Sequence, residues 1–193
     1  MGSKPAIERD AILDAAYARA QRDGVASLGI RTIANECGVA VGTIYNYFPD
    51  KASLVTEVVG RFWHAAIAPA RQLASEGAAE GPGCLLVYCR LLAQGLGESL
   101  GRFRASWLRE VSTLDTRSRT RSHAAESALF HDIQVEIQHV IENDPGISQS
   151  ARMCLQSDEL AVFIWRSLFE SVKAGDDSFD TVIKVLELGL YRE

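Results

Sequence analysis

The stretch RTIANECGVAVGTIYNYFPDK (residues 31–51) has the pattern of two short helices separated by a tight turn. Ile33, Ala34 and Cys37 fall on one face of the first helix, at the spacing of an inward-facing apolar stripe. Gly38 follows, and a glycine at this point can take the left-handed backbone conformation that ends a helix. The pattern therefore predicts a helix that stops at Gly38 and a chain that turns at once.

The second helix of this stretch has one apolar side and one side suited to a polar surface. Ile44 and Phe48 continue the apolar stripe, and Val39 closes the corner between the two helices. The outward side chains are small at first and polar or aromatic later, and the helix carries no acidic residue before Asp50. A helix with such a surface can approach a phosphate backbone and enter a major groove, so we predict a helix-turn-helix. The outward residues are Val41, Gly42, Thr43, Tyr45, Asn46 and Tyr47.

The same residues resemble the DNA-binding signature of the tetracycline-repressor (TetR) family of bacterial regulators. The resemblance covers about the first quarter of the chain. The family usually opens each helix of the motif with Ser or Thr, whereas this chain has Gly29 and Ala40, and alanine offers no side-chain oxygen as a cap. The matching runs are ILDAAYARAQRDG at 12–24, Ile33-Ala34, Gly38-Val39, GTIY at 42–45 and YFPDK at 47–51.

The resemblance implies an all-α fold with about nine helices. A three-helix helix-turn-helix domain (residues 1–51) would precede a larger helical ligand-binding and dimerisation domain (residues 52–193). The implied function is that of a homodimeric transcriptional regulator, a ligand-responsive repressor that reads a near-palindromic operator. The candidates near base edges are Arg31, Thr32, Val41, Gly42, Thr43 and Asn46. Matching positions in the family motif suggest phosphate contacts for Thr43, Tyr45, Tyr47 and Lys51.

The charge balance is acidic, with a net charge of −5 over 193 residues, which at first argues against a nucleic-acid partner. Residues 1–51 hold six basic and six acidic residues, so the whole deficit lies in the remainder of the chain. DNA binding needs a local positive patch rather than a positive total. The sequence shows neither a transmembrane run nor the apolar region of a secretory signal, which predicts a cytoplasmic protein without a membrane partner.

Apolar periodicity predicts further helices after the motif. The first of them is a long helix with Asp50 as its N-cap, which Pro69 should kink or end. The other helices are predicted over residues 84–100, 103–114, 124–142, 157–174 and 178–191. A basic run at residues 116–122 precedes the helix predicted from 124, and it is either a solvated loop or helix end, or a contact for an anion or partner.

The last two predicted helices carry apolar stripes that are too wide for packing on one side only. The simplest use of a second apolar side is a homodimer, in which two helices of each subunit form a four-helix seam. The stripes contain Phe163, Trp165, Phe169, Val182, Leu186 and Leu190.

Five aromatic residues on three predicted helices of the body allow two interpretations. They form either an ordinary core or a pocket for a small apolar or aromatic effector between the helices. The family resemblance favours the pocket but identifies no ligand. The five residues are Phe103, Trp107, Phe130, Trp165 and Phe169.

Motifs for catalysis, cofactors or metals are not found in the sequence. The four cysteines lack a CxxC pair, and His131 and His139 are too far apart on one helix to share a metal ion unaided. We expect reduced thiols, with a redox pair of Cys84 and Cys89 as the alternative. The rivals to a DNA-binding regulator are a small helical enzyme and a helical module that binds only protein through the outward aromatic residues of the motif.

Overall fold

The computed structural model describes residues 7–75, 81–103, 110, 116–175 and 178–192. Within these ranges the chain forms nine α-helices and no β-strand, which confirms the predicted all-α fold. A short 3₁₀ turn, Val25–Ser27, follows the first helix. The helices are α1 (Arg9–Asp23), α2 (Ile30–Glu36), α3 (Val41–Tyr47), α4 (Lys51–Ser75), α5 (Cys84–Gly101), α6 (Thr116–Asn143), α7 (Gln149–Cys154), α8 (Ser157–Ala174) and α9 (Ser178–Leu190). None of these described helices is long and apolar enough to cross a bilayer.

The chain divides into two compact units. The first unit contains Met1–Phe62 and Leu100–Glu126, and the second contains Trp63–Ser99 and Ser127–Glu193. The predicted domain division after residue 51 coincides with the start of α4, whereas the compact units divide inside that helix. The division into residues 1–51 and 52–193 stays a prediction.

The core of the first unit forms where α1 meets the motif helices. Ile12, Ala16 and Ala20 are fully buried on one side of α1. The small alanine side chains let neighbouring helices approach closely, and Ile33 of α2 and Ile44 of α3 are fully buried as well. This packing fixes the exposed sides of α2 and α3 as the surface that the unit presents.

In the second unit, α4 and α5 pack closely at a glycine. A Cβ atom placed on Gly95 would lie 2.1 Å from the carbonyl oxygen of Ala66, so no larger residue fits at this crossing. Pro69 lies inside α4, and the helix continues through it to Ser75, so this proline does not end the helix. Burial of Ile67 and Ala70 on either side of Pro69 offsets the backbone hydrogen bond that the proline cannot make.

One helix boundary and one additional helix differ from the sequence prediction. The helix predicted from residue 124 begins at Thr116, so the basic run forms its first turns rather than a loop. The six-residue helix α7 was not expected, because it carries no apolar stripe, and the hydroxyl of Ser148 caps it by accepting from the Ala151 N–H at 3.2 Å. The helix predicted over 103–114 lies almost entirely outside the described residues.

A buried carboxylate, Asp144, ties three parts of the second unit together. Its Oδ1 accepts from the backbone N–H groups of Gly83 (3.0 Å) and Gly146 (2.9 Å). Its Oδ2 accepts from the Leu85 N–H (3.0 Å) and from the Tyr191 hydroxyl. Burial alone would raise the pKa of Asp144, but these hydrogen bonds outweigh it and hold the pKa below its usual value. Asp144 thus caps the start of α5 and holds the chain after α9 beside it.

Candidate nucleic-acid interface

The turn between α2 and α3 has the left-handed backbone geometry that was predicted at Gly38. Gly38 has a φ of +64°, the left-handed conformation. The N–H of Val39 donates to the carbonyl of Ala34 at 3.0 Å, and the N–H of Gly38 donates to the carbonyl of Asn35 at 3.2 Å. This pair of bonds is the Schellman arrangement, which satisfies the last carbonyls of α2 and confirms the predicted stop.

The inner side of the motif is apolar and closed to solvent. Ile33, Ile44 and Phe48 are all fully buried, which fixes the rotation of α2 and α3 about their axes. Cys37, predicted on the same face, is only half-buried. Burial, and then the neighbouring Glu36 carboxylate, raise the pKa of the Cys37 thiol, so it stays protonated at neutral pH.

The nine predicted DNA contacts all lie on α2, on α3 or at the first residue of α4, and none of them is buried. Position 42 has open space around it, because a Cβ atom placed on Gly42 would meet nothing within 4 Å. Arg31, Gly42, Tyr45 and Asn46 are exposed, and Thr32, Val41, Thr43, Tyr47 and Lys51 are half-exposed.

Tyr47 also has a structural role within the first unit. Its hydroxyl donates a hydrogen bond of 2.9 Å to the carbonyl oxygen of Ile7, which fastens the chain before α1 to the end of α3. The hydroxyl proton is therefore already used, and a phosphate oxygen would have to compete for it. The phosphate contact of Tyr47 stays a prediction.

The cations of the first unit divide into paired and unpaired residues. The four arginines of α1 and the first half of α4 pair with carboxylates: Arg9 with Glu57, Arg19 with Glu36 at 2.5 Å, Arg22 with Glu36 at 3.3 Å and Arg61 with Asp14 at 2.5 Å. Arg31 and Lys51, by contrast, have no acidic partner among the described residues. These two cations flank the exposed side of α3 in the sequence and are available to an anion.

The acidic residue at the end of the motif is Asp50, and both of its oxygens are engaged. Its Oδ1 accepts from the N–H of Ser53 at 2.7 Å, which confirms Asp50 as the N-cap of α4. The guanidinium of Arg121 lies 3.2 and 3.3 Å from Oδ1 and Oδ2. Near this pair, the hydroxyls of Thr56 on α4 and Ser122 on α6 lie 3.5 Å apart.

Sequence reasoning missed Arg121, although it noticed the basic run that contains it. The run could be a solvated segment or a partner contact, and the structure shows that one of its arginines pairs with Asp50, 71 positions away in the sequence. A cation so distant from its partner carries no local signal of the pairing.

The predicted effector residues fall in different places. Phe103 belongs to the first unit and contacts Tyr17 and Phe62 edge to face, with ring centroids 5.3 and 5.1 Å apart. Trp107 lies outside the described residues.

The other three predicted effector residues meet in the second unit. The Phe130 ring lies 4.9 Å from that of Trp165 and 5.6 Å from that of Phe169. Trp63 completes the group, with its ring 5.0 Å from that of Phe130, and sequence reasoning did not include it. We call these four residues the aromatic cluster.

Comparison with known proteins gives a match for the motif. Residues 12–58 match the family model described as bacterial regulatory proteins, tetR family. The HTH-type transcriptional repressor KstR of Mycobacterium tuberculosis is 42% identical over 62 residues, which are 32% of this chain and 28% of that protein. KstR of Rhodococcus jostii is 42% identical over 53 residues, or 28% of this chain and 25% of that protein. The chain thus spans less than a third of the length of the curated relatives it matches.

Solved structures extend the likeness from the motif to the whole fold. The TetR-family regulator PfmR of Thermus thermophilus has a TM-score of 0.60 at 13% identity, covering 96% of this chain and all of that one. The fatty acid degradation regulator FadR of Bacillus halodurans has a TM-score of 0.59 at 18% identity, covering 97% and 95%. Identities this low establish a common fold and nothing finer. Residues 12–58 therefore match the tetR family of bacterial regulatory proteins, and the chain as a whole shares the fold of solved TetR-family regulators.

Proposed function

We propose that the protein is a DNA-binding transcriptional repressor that binds a near-palindromic operator as a homodimer and responds to a small apolar or aromatic molecule. The observation that carries the proposal is the exposed side of α3. It carries small, polar and aromatic side chains, and Arg31 and Lys51 beside it have no acidic partner among the described residues. The matches of the motif to named repressors support repression.

The division of labour on this surface follows from side-chain chemistry. Asn46 carries both a donor and an acceptor and can read a base edge, whereas the Lys51 ammonium is a point charge suited to a phosphate. Thr43 offers a hydroxyl to a phosphate and a methyl group to a thymine. Gly42 would let the backbone of α3 approach the DNA, because its Cα carries no side chain.

For the homodimer, the proposed surface is an apolar groove on the second unit. The groove has a volume of about 480 Å³ and is lined by residues of α7, the α7–α8 connection, α8 and α9, including Leu155, Phe163 and Val185. Phe163 is 55% exposed and Val185 is 56% exposed, which is unusual for large apolar side chains. A second copy of this chain, presenting the same groove, would cover these residues in an isologous contact.

For the effector, the proposed site is the aromatic cluster. Its rings already pack on one another, so a ligand would bind by parting them and taking over their contacts. Lys173 lies over the Phe169 ring at 5.6 Å and would favour a ligand with an electron-rich face. The alternative is that these rings form an ordinary core. Quenching of Trp63 and Trp165 fluorescence by an added ligand would favour the effector site, and no quenching would favour the core.

Close approach of α3 to DNA can be tested with Gly42→Ala. A Cβ atom at this position has open space, and alanine favours a helix over glycine by about 1 kcal/mol, so the fold should be retained or slightly stabilised. If the backbone contacts DNA here, the added methyl overpacks the interface, which costs roughly 1–3 kcal/mol or about 5- to 150-fold in operator affinity. Thermal unfolding and operator titration measure the two effects.

Gly60→Ala is the matched control, because Gly60 also lies inside a helix with nothing near its Cβ position. It should gain the same helix stability and leave operator affinity unchanged. Equal operator affinities for Gly42→Ala and Gly60→Ala would contradict the proposed approach of α3.

The roles of Lys51 and Asn46 predict opposite outcomes for their alanine variants. Lys51→Ala should weaken binding to all duplexes alike and reduce the slope of log affinity against log salt by about 0.9, the value for one phosphate contact. Asn46→Ala should keep the slope and lose roughly 1–3 kcal/mol of discrimination at one base pair. The probe is a duplex that the unmodified protein selects from a random-sequence library, compared with single-base variants and a scrambled duplex. A salt-independent interaction with DNA would rule out this assignment and favour the protein-interaction module.

A further inference from the structure

The N-cap of α4 creates an electrostatic conflict beside the proposed DNA surface. Asp50 directly precedes Lys51, a proposed phosphate contact, and follows Tyr47 by three residues. Its Oδ1 accepts from the Ser53 N–H and so caps the helix, and the side chain that supplies this oxygen also brings a negative charge. An unpaired negative charge on Asp50 would repel a DNA phosphate that binds its sequence neighbour Lys51. At such a short distance, salt does not fully screen the repulsion between the carboxylate and the phosphate.

The structure places a cation on this carboxylate from outside the motif. Arg121 of α6 reaches both Asp50 oxygens, at 3.2 and 3.3 Å. Ser122, the next residue of α6, is buried and sits beside Thr56 of α4, which fixes this turn of α6 against the start of α4. The pair is therefore held by packing and does not depend on a long side chain alone.

Glu36, the other acidic residue of the motif, also pairs with arginines from another helix. Glu36 at the end of α2 receives Arg19 at 2.5 Å and Arg22 at 3.3 Å, both from α1. Each carboxylate of the motif thus meets an arginine from another helix, while Arg31 and Lys51 meet no carboxylate among the described residues. This distribution gives a chain of net negative charge a locally positive face.

We propose that Arg121 is a positioning residue for DNA binding, which neutralises Asp50 so that α4 keeps a charged N-cap without repelling the DNA backbone. Arg121 acts through Asp50 and not through its own contact with DNA. The inference rests on the proposed DNA-binding function, and the experiment below separates the failure of one from the failure of the other.

The test is a double-mutant cycle of Arg121→Ala and Asp50→Asn, using the selected duplex and its scrambled version as probes. Asparagine caps a helix as well as aspartate, so Asp50→Asn removes the charge and retains the cap. Arg121→Ala alone should weaken binding to both duplexes about two- to fivefold at low salt, the range for an exposed ion pair. In the Asp50→Asn background the same substitution should have no effect. Arg121→Lys, which keeps the charge, should bind like the unmodified protein.

Three readings of the cycle are distinguishable. Loss of affinity in both backgrounds, with a salt slope reduced by about 0.9, would show that Arg121 touches phosphate itself and would overturn the proposal. No loss in either background would also overturn it. Thermal unfolding of each variant identifies any loss that comes from a damaged fold, and Arg121→Gln then replaces the alanine variant. If the unmodified protein binds no duplex at all, the proposed function fails instead.

Discussion

Replacing Val185 by arginine is expected to split the proposed dimer and to reduce operator affinity by more than about 100-fold. Val185 is 56% exposed in a single protomer, so the new guanidinium would stay in water there and leave the fold intact. In the proposed seam the charge would be buried without a partner, at a cost of roughly 3–5 kcal/mol, and the two-fold axis would bring two such charges together. A monomer contacts one half-site only and loses the contribution of the second.

Val87→Arg is the matched control for this experiment. Val87 is 46% exposed and lies on α5, outside the apolar groove, so its arginine variant should remain dimeric and keep operator affinity. Sedimentation velocity at micromolar concentration measures the oligomeric state of both variants. A dimeric Val185→Arg variant, or an unmodified protein that sediments as a monomer, would contradict the proposed seam.

Asp144→Ala is expected to lower the free energy of unfolding by roughly 3–5 kcal/mol. The substitution leaves three backbone N–H groups and the Tyr191 hydroxyl without their acceptor, and each buried unsatisfied donor costs about 1–3 kcal/mol before water relieves part of it. Chemical denaturation measures the loss. Asp132→Ala, which removes an exposed carboxylate from α6, should stay within about 0.5 kcal/mol of the unmodified protein.

The same carboxylate predicts part of the pH dependence of stability. The pKa of Asp144 in the folded protein lies below its ordinary value of 3.8, so its contribution is present at neutral pH and is lost as the pH falls below about 4, through the folded pKa. Asp144→Asn keeps one acceptor oxygen but cannot titrate, and its stability should fall less steeply over that acidic range. Parallel acid dependences for the variant and the unmodified protein would show that Asp144 does not contribute.

The helix-turn-helix could be predicted from the sequence because its determinants are local. Gly38 ends α2 through its own backbone conformation, and the stripe that contains Ile33 and Ile44 lies within a dozen residues. The end of α8 could be predicted for the same reason, because Gly175 ends that helix with a φ of +73°. Local signals of this kind do not require knowledge of the tertiary packing.

Which side of a wide apolar stripe is buried within one protomer could not be predicted in the same way. Leu186 and Val185 are adjacent and equally apolar, yet Leu186 is buried inside the second unit and Val185 is exposed. An arginine at Leu186 would therefore damage the core before it separated two subunits. The apolar stripe of α8 shows the same difference in burial, since Trp165 is buried and Phe163 is exposed. Only the packing of α8 on its neighbours distinguishes such residues.

Contacts between residues that are distant in the sequence could not be predicted from the sequence either. Arg121 and Asp50 are 71 positions apart, and nothing near either residue indicates its partner. The aromatic residues show the same limit, because Phe103 packs in the first unit while Phe130 packs in the second. Because all five residues are aromatic, the sequence suggested a single group. In the structure, Phe103 and Phe130 lie in different units.

The most direct test of a dimeric DNA-binding regulator is a titration of the selected duplex with the unmodified protein at several salt concentrations, with the stoichiometry read from the same complexes. We predict two protomers per duplex, a log affinity that falls linearly with log salt, and binding at least about 10³-fold tighter than to the scrambled duplex. Equal affinity for the selected and scrambled duplexes, or a single protomer per duplex, would contradict the account.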